Sequence, residues 1–314
     1  MSNLSNKIAF VFPGQGSQSV GMLQDMGAIV IELFNQASDV VGYDLWELTQ
    51  EDPKGQLNET EFTQPALLTA SIAVWRESQA RGIEMPSIVA GHSLGEYSAL
   101  VAADALGYED ALALVQERGR LMQSAVPIGE GGMAAVLGLA DDLVVLICKQ
   151  CSEEGSVVQA ANFNSPGQVV IAGHLDAIAR AGVALKEGGA KRVMPLSVSA
   201  PFHSEEMKPA AMKMADVLAQ VKIRTPKIPI IQNVNGKIES NPDRIRSNLV
   251  EQMYGAVLWT STIQLFVALG VNKVVECGPG KVLATLNRRI DKSLSSFQLN
   301  SLDTIEQTIA DLKI

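Results

Sequence analysis

The chain has 314 residues, of which 47% are hydrophobic, and a formal net charge of −9 at pH 7. This length is enough to bury a large core in one big domain or two smaller ones. The acidic balance, without a dominant basic tail or stripe, argues against a nucleic-acid binder or an anionic-membrane binder. A polar segment over residues 1–7 and the lack of any apolar run of about 18 residues indicate a cytoplasmic protein with no membrane partner.

The three cysteines argue against a disulfide framework, because their odd count fits a reducing compartment better. Cys148 and Cys151 form a C-x-x-C inside a predicted helix, and no second cysteine pair is available to complete a zinc site. We expect both to pack as small apolar residues. The sequence therefore predicts neither a metal nor a cofactor.

The first part of the chain alternates strand-like and helical patterns, which is typical of a parallel α/β sheet. Strands are predicted over residues 7–12 and 87–90, and helices over 26–41, 64–81, 96–103 and 108–124.

The pattern changes between residues 127 and 197. A glycine-rich join at 129–132 is followed by a predicted strand over 133–139, a helix over 141–151, strands over 157–162 and 168–172 around a turn at 164–167, a helix over 175–187 and a strand over 192–196. The order β-α-β-β-α-β is that of a split ferredoxin-like unit.

The larger pattern then resumes with a helix over 207–221, a strand over 228–232, a helix around 264–268, a strand over 273–276 and a helix from about 281 to 290. We therefore expect an α/β domain of residues 1–126 and 198–314 with an inserted ferredoxin-like subdomain of residues 127–197.

The segment Gly91-His92-Ser93-Leu94-Gly95 lies between a predicted strand and a predicted helix. A G-x-S-x-G at such a place is the signature of a nucleophile elbow, whose sharp turn exposes the serine hydroxyl. The two glycines remove Cβ atoms that would collide in the turn. The motif also arises by chance, but its position favours Ser93 as a nucleophile.

Ser93 needs a neighbouring base to accept its proton. The chain has three histidines. The side chain of His92 should point away from the adjacent serine, and His174 falls near a helix start in the inserted unit. By elimination His203 is the best candidate base; a histidine merely hydrogen-bonded in a loop is the alternative.

The loop over residues 12–18 follows the first predicted strand, where ligands of parallel sheets gather. It lacks both the G-x-G-x-x-G pattern and the P-loop lysine, so a nucleotide-phosphate site is weakly supported. An oxyanion hole formed by one N–H of this loop and the N–H of Leu94 is the more economical hypothesis.

Several segments together resemble the malonyl-CoA:acyl-carrier-protein transacylases of bacterial fatty-acid synthesis, and the resemblance covers nearly the whole chain. They are residues 12–18 (FPGQGSQ), 63–67 (TQPAL), 91–97 (GHSLGEY), 118–119 (RG), 162–167 (NFNSPG), 202–204 (FHS) and 278–280 (GPG). The resemblance implies a hydrolase-like α/β domain carrying a ferredoxin-like insert, which agrees with the pattern of predicted elements.

The resemblance also implies roles for individual residues. Ser93 would take the malonyl group from coenzyme A, and His203 would act first as base and then as acid. The backbone amides of Gln15 and Leu94 would form the oxyanion hole. Arg118, which without the resemblance would be interpreted as a surface charge on a helix, would bind the free carboxylate of malonate through two parallel hydrogen bonds. An unpaired Arg118 would then penalise acetyl groups.

Further substrate contacts are implied at Gln64, Asn162 and Phe202. Phe202 directly before the histidine is the form associated with malonyl rather than methylmalonyl selection. Glu206 departs from the family pattern, since an apolar residue is usual there.

The segment matching Gln252 provides a main-chain carbonyl that orients the histidine in this family. Ala256 and Leu258 depart from the commoner form of that segment, which has a proline and a polar or basic residue at these places. A neutral orienting group would spare the anionic malonyl group a nearby negative charge.

The implied partners are malonyl-CoA and an acyl carrier protein. The carrier protein of this pathway is strongly acidic, and so is this chain, so global attraction cannot drive their encounter. We expect local docking contacts on either side of the site mouth from Lys191, Arg192, Arg288 and Arg289, whose alternative interpretation is solvated surface charge.

Two other functions fit part of the sequence. A serine hydrolase or thioesterase would use the same serine and histidine with water as acceptor, and Arg118 disfavours it. A non-catalytic acyl- or CoA-binding module would tolerate loss of Ser93 or His203, and both are present.

Overall fold

The computed structural model describes residues 7–127, 129–198 and 200–313. A six-stranded sheet forms the centre of the larger part, with the order β10-β9-β1-β2-β7-β8. Its strands are β1 (Lys7–Phe12), β2 (Ile88–Gly91), β7 (Ile230–Ile231), β8 (Ile238–Glu239), β9 (Val271–Cys277) and β10 (Ser295–Leu299). All neighbours in it are parallel except β7 and β8, which are antiparallel. The predicted α/β fold with a parallel-sheet core is confirmed.

A second sheet of four antiparallel strands has the order β4-β5-β3-β6. Its strands are β3 (Gly131–Leu137), β4 (Val158–Ser165), β5 (Gln168–His174) and β6 (Arg192–Pro195). Side chains alternate between its two faces, as strand geometry requires. One face packs against helices α6 (Asp141–Cys151) and α7 (Leu175–Glu187), and the other joins the core of the larger part. The second face includes Met133, Ala135, Val170 and Ala172.

The remaining helices surround the six-stranded sheet. They are α1 (Ala28–Val41), α2 (Leu45–Gln50), α3 (Thr60–Ala80), α4 (Gly95–Ala102), α5 (Tyr108–Gln123), α8 (Lys208–Ala219), α9 (Pro242–Gln252), α10 (Trp259–Ala268), α11 (Val282–Ile290) and α12 (Leu302–Leu312), with a short 3-10 helix at Glu205–Met207 before α8. Within the described ranges no helix is both long and apolar enough to cross a membrane.

Some predicted boundaries were wrong, and proline explains two of them. The helix expected from residue 64 begins at Thr60 and contains Pro65, because its burial between other helices outweighs the hydrogen bond that a proline removes. The strand expected over 228–232 is only Ile230–Ile231, since Pro229 has no N–H to donate. The turn predicted at 164–167 is confined to Pro166 and Gly167, so that residue 164 lies in β4.

The predicted elements did not include α2, β8, α9, β10 or α12, and the predicted start of α10 was too late. The helix α9 is predominantly polar, and its apolar contacts come from only a few side chains, so hydrophobic periodicity is weak there. Cys148 is buried in the core between α6 and the small sheet, and the half-buried Cys151 packs against that core, as expected.

Candidate active site

The turn between β2 and α4 holds Ser93 in a left-handed conformation, with φ of 51°. This conformation is costly for a residue other than glycine, and such strain is concentrated at functional sites. A Cβ on Gly91 would lie 1.9 Å from the carbonyl of Gly95, and one on Gly95 would lie 2.0 Å from the carbonyl oxygen of Phe12. Both positions therefore require glycine, as the motif predicted.

The hydroxyl of Ser93 lies 2.7 Å from Nε2 of His203. On the other side of the imidazole, Nδ1 lies 2.7 Å from the backbone carbonyl oxygen of Gln252. Because a carbonyl only accepts, the proton resides on Nδ1, and Nε2 is free to accept the serine proton. The loop that carries His203 is also tied to the end of α9 by the hydrogen bond from its N–H to the carbonyl of Met253.

His203 is kept neutral by its surroundings. It is 3% exposed. Burial first, and the nearby charge of Arg118 second, lower its pKa to about 3. A neutral imidazole that accepts from a serine hydroxyl has the arrangement of a general base.

Arg118 is not a surface charge, because α5 turns it inward and it is 1% exposed. Its Nη1 donates to Gln64 Oε1 at 2.7 Å, and its Nη2 donates to Gln252 Oε1 at 2.7 Å and to Ser93 Oγ at 3.2 Å. These three acceptors are all uncharged, and Nε has no partner within the described chain. A buried guanidinium with neutral partners and spare donors is suited to bind an anion such as a carboxylate.

A cavity of about 110 Å³ between the two sheets is lined by Ser93, His203, Arg118 and Gln64. Met133 and Val170 bring the small sheet to its wall, and Phe202 and Asn162 are also part of the lining. The Oδ1 atom of Asn162 is buried and has no hydrogen-bond partner among the described residues. A buried polar atom without a partner is costly, and a bound ligand would remove that cost.

The proposed oxyanion-hole residues both line this cavity. Neither the N–H of Gln15 nor that of Leu94 donates a hydrogen bond to another described residue. Leu94 also directly precedes α4, where the helix dipole favours negative charge. The two N–H groups are thus available to a ligand in the cavity.

Comparison with known proteins decides the family. The acyl transferase domain family matches residues 9–304. The malonyl CoA-acyl carrier protein transacylase of Salmonella typhimurium is 53% identical over 297 residues, which cover 94% of this chain and 96% of the relative. The chain belongs to the malonyl CoA-acyl carrier protein transacylase family. The resemblance inferred from the motifs and the acyltransferase class are confirmed.

Solved transacylase structures agree with this assignment. The malonyl CoA-acyl carrier protein transacylase of Coxiella burnetii is 44% identical, with a TM-score of 0.97 and coverage of 99% of both chains. A malonyl-transacylase solved in complex with a type II PKS acyl-carrier protein is 47% identical, with a TM-score of 0.95 and coverage of 97% of this chain and 99% of that one.

The other two histidines of the chain have different partners. His92 Nε2 lies 2.8 Å from Asn164 Oδ1, and its ring packs near Trp259. His174 precedes α7, and its Nε2 lies 3.8 Å from a carboxylate oxygen of Glu206. Glu206, which departs from the family pattern, therefore faces the small sheet rather than the cavity.

The segment after Gln252 is held by backbone hydrogen bonds, although positions 256 and 258 depart from the family pattern. The N–H of Val257 donates to the carbonyl of Ala161 in β4, and that of Leu258 donates to the carbonyl of Asn233. Side chains at positions 256 and 258 are not needed for these backbone contacts.

The four predicted docking residues do not line the cavity. The side chain of Lys191 approaches Gly138, and Arg192 begins β6. Arg289 reaches from α11 to Gln168 of the small sheet, with Nη1 2.8 Å from Oε1. Arg288 instead donates to the carbonyl of Ser296, so the two adjacent arginines point in different directions.

Sequence reasoning assigned no role to Glu96 or Asn233. The side chain of Asn233 accepts from the N–H of Ser93 at 2.7 Å and donates to the carbonyl of Gly91 at 2.6 Å. These two hydrogen bonds stabilise the backbone of the elbow. Glu96, in the quoted motif, accepts from the N–H of Asn233. The only sequence signal was the position of Asn233 shortly after a predicted strand of the parallel sheet.

Proposed function

We propose that the protein transfers the malonyl group of malonyl-CoA to the phosphopantetheine thiol of an acyl carrier protein, through a malonyl ester on Ser93. The observation that carries this proposal is the position of the buried Arg118 guanidinium, 3.2 Å from Ser93 Oγ. When the acyl group on Ser93 ends in a carboxylate, the positive charge of Arg118 lies directly beside that carboxylate. The names of the relatives support the same donor and acceptor.

The first half of the reaction acylates the enzyme. Ser93 Oγ attacks the thioester carbonyl while His203 Nε2 takes its proton, and the N–H groups of Gln15 and Leu94 donate to the oxyanion. Each such donor is typically worth about 3 kcal/mol in the transition state. Collapse of the tetrahedral intermediate breaks the C–S bond, and the leaving thiolate takes the proton from His203.

The second half repeats these steps with the carrier-protein thiol. His203 accepts the thiol proton, the sulfur attacks the malonyl ester, and Ser93 leaves with the proton returned. The sequence is ping-pong because free CoA departs before the second thiol enters. No atom changes oxidation state, so the exchange requires no redox cofactor.

The substrate would be held by neutral groups as well as by Arg118. Gln64 orients the guanidinium through its Oε1, and the unpartnered Oδ1 of Asn162 accepts an N–H or O–H donor of the substrate. Phe202 lies in the wall beside His203 and limits the space for a branched extender. These contacts support selection of malonyl over methylmalonyl groups.

The carrier protein would dock through Lys191, Arg192, Arg288 and Arg289. The solved complex of a related malonyl-transacylase supports a carrier protein as partner. The contact of Arg289 with Gln168 places one of these charges where the small sheet meets α11.

The small sheet would be a ferredoxin-like subdomain of residues 127–197, inserted into a hydrolase-like domain of residues 1–126 and 198–314. The element order β3-α6-β4-β5-α7-β6 and the antiparallel strand order β4-β5-β3-β6 support this finer description.

Intact-mass analysis after mixing with malonyl-CoA tests the proposal. We expect a malonyl adduct on the wild type, none on Ser93→Ala, and an unchanged adduct on Ser98→Ala, a buried serine of α4, the helix that follows Ser93. Adding the thiol form of an acyl carrier protein should discharge the adduct onto that protein.

Two outcomes would contradict the proposal. No adduct on the wild type under conditions that trap an acyl-enzyme would argue for a binding module. Discharge to water at the same rate with and without carrier protein would instead indicate a hydrolase or thioesterase.

A further inference from the structure

Glu96 is a buried carboxylate that takes no part in the proposed reaction. It is the second residue of α4, one helical turn after Ser93, and is 1% exposed. Its Oε1 accepts from Gln232 Nε2 at 2.5 Å, and its Oε2 accepts from the N–H of Asn233 and from Gln252 Nε2, both at 3.0 Å. Burying a carboxylate is costly unless such donors compensate it, so its place here needs a reason.

Gln252 lies between this carboxylate and Arg118. Its Nε2 donates to Glu96, and its Oε1 accepts from Arg118 Nη2 at 2.7 Å. A carboxylate only accepts hydrogen bonds and a guanidinium only donates them. The Gln252 amide therefore has a single orientation that satisfies both neighbours, and Glu96 helps to fix it.

The same amide group supports the elbow. Gln252 Nε2 also donates to the carbonyl of Ser93 at 2.9 Å, while the backbone carbonyl of Gln252 accepts from His203. Gln252 thus contacts the three residues assigned to acyl transfer and carboxylate binding. Its side chain is 0% exposed, so no water replaces a contact that is lost.

We propose that Glu96 is a positioning residue that sets malonyl selectivity. By fixing the Gln252 amide, it holds the Arg118 guanidinium where the malonyl carboxylate will lie. This inference rests on the proposed function, because it concerns the carboxylate of the acyl group on Ser93. In this role Glu96 does not contact the substrate itself.

Glu96→Gln is the first test. A glutamine offers one accepting oxygen and one NH₂, so its NH₂ faces donors that the carboxylate accepted. If its oxygen replaces Oε2, the NH₂ meets Gln232 Nε2, and if its oxygen replaces Oε1, the NH₂ meets Gln252 Nε2 and the N–H of Asn233. Either arrangement brings donors together, which displaces the side chain and weakens its hold on the Gln252 amide. At pH 8 or above, where Glu96 carries its negative charge, we expect the ratio of malonyl to acetyl acylation rates of Ser93 to fall about tenfold, the effect of losing a hydrogen bond to a charged group.

Glu96→Asp separates position from charge. Aspartate keeps the negative charge but is shorter by one bond of about 1.5 Å, so it cannot reach Gln252 in the same way. We expect the ratio to fall in this variant as well. Retention of the wild-type ratio by Glu96→Asp would overturn the proposal in favour of a simple counter-charge for Arg118.

Glu276→Gln is the matched control. Glu276 is also fully buried, but its carboxylate accepts from the N–H groups of Leu283 and Ala284 at the start of α11, away from the cavity. Loss of the Glu276 carboxylate should lower the stability of the fold without changing the ratio of malonyl to acetyl acylation rates. Because a ratio of two rates does not depend on the folded fraction, destabilised variants remain informative.

A background lacking Arg118 completes the test. In Arg118→Ala the ratio should no longer respond to Glu96→Gln. A Glu96→Gln ratio equal to that of the wild type, or an equal fall with and without Arg118, would overturn the proposal. A wild type that takes up no malonyl group would overturn the proposed function itself, which is a distinguishable result.

Discussion

The backbone carbonyl of Gln252 accepts the Nδ1 proton of His203 at 2.7 Å. Gln252 is the last residue of α9, where the final helical carbonyls have no partner inside the helix. The partial negative charge of a helix C-terminus also stabilises a cation beside it. This carbonyl can therefore orient the imidazole and stabilise the imidazolium of the proposed transfer, without adding a full negative charge near the malonyl carboxylate of the proposed substrate.

The protonation state of His203 gives the first prediction. Its pKa is lowered to about 3, mainly by burial, so the ring stays neutral when an ordinary histidine would become charged. We expect its imidazole NMR signals to stay constant from pH 8 to pH 5. The signals are assigned by comparison with His203→Asn. A titration midpoint near pH 6.5 would contradict the neutral, buried base.

Arg118→Ala should change substrate choice. Removing the guanidinium leaves a bound malonyl carboxylate without its counter-charge in a buried cavity, so malonyl acylation should fall about a hundredfold. Acetyl acylation should fall much less. Rates of Ser93 acylation from malonyl-CoA and acetyl-CoA check this, with Arg120→Ala as control because Arg120 is exposed and pairs with Glu117. Equal losses for both acyl groups would refute the role of Arg118 in selectivity.

The buried Glu96 makes stability depend on pH. Burial raises its pKa to about 7, so the folded protein binds this proton more tightly than the unfolded chain does. The resulting stabilisation is full below about pH 4.5 and is lost as the pH rises through 7. The free energy of unfolding of the wild type relative to Glu96→Gln should therefore fall between pH 5 and pH 8, by on the order of 3 kcal/mol.

Urea denaturation of both proteins at the two pH values measures that difference. A difference that grows with pH would show that the donors around Glu96 and the charge of Arg118 outweigh burial.

Gly95→Ala should strongly destabilise the protein. The new Cβ would lie 2.0 Å from the carbonyl oxygen of Phe12 in β1, and neither backbone can move freely. We expect a loss of more than about 3 kcal/mol in the free energy of unfolding. Gly42→Ala has open space around its Cβ and φ of 81°, so it should cost only about 1 kcal/mol. Similar losses in the two variants would contradict the steric explanation.

Charge reversal tests the docking residues. Arg288→Glu together with Arg289→Glu should slow transfer to an acyl carrier protein about tenfold or more and weaken its salt dependence, because local attraction steers the encounter. Acylation by malonyl-CoA should change little. Stopped-flow transfer rates at several salt concentrations measure this. Unchanged rates and salt dependence would remove these arginines from the docking surface.

Local sequence was enough to predict the nucleophile elbow. The strand before Gly91, the glycines at 91 and 95, and the helix after them are neighbours in the chain, so their geometry follows from backbone sterics. The element order of the small sheet was also predictable, because its alternating patterns are contiguous. Predicted strands and helices were least accurate where a proline or a polar surface obscured the periodicity, as at Pro229 and in α9.

Residues of the site differed in how far they were predictable. Ser93 followed from its motif, and His203 from elimination among three histidines. Arg118 required the family resemblance, because a charged residue on a helix is usually exposed and only the packing of α5 against α3 buries it. Glu96 and Asn233 had no assigned role, because their roles depend on hydrogen bonds to residues distant in the chain, which local sequence does not reveal.

The sequence by itself determined the elbow, the α/β pattern and the family to which the chain belongs, because each rests on short motifs or local periodicity that can be recognised without knowing which distant residues meet. Only the tertiary structure decided the partners of Gln252. This residue follows Arg118 by 134 positions and Glu96 by 156. Packing of α9 against the elbow brings the three side chains together, and the opposite hydrogen-bonding requirements of a carboxylate and a guanidinium then leave the amide between them one orientation.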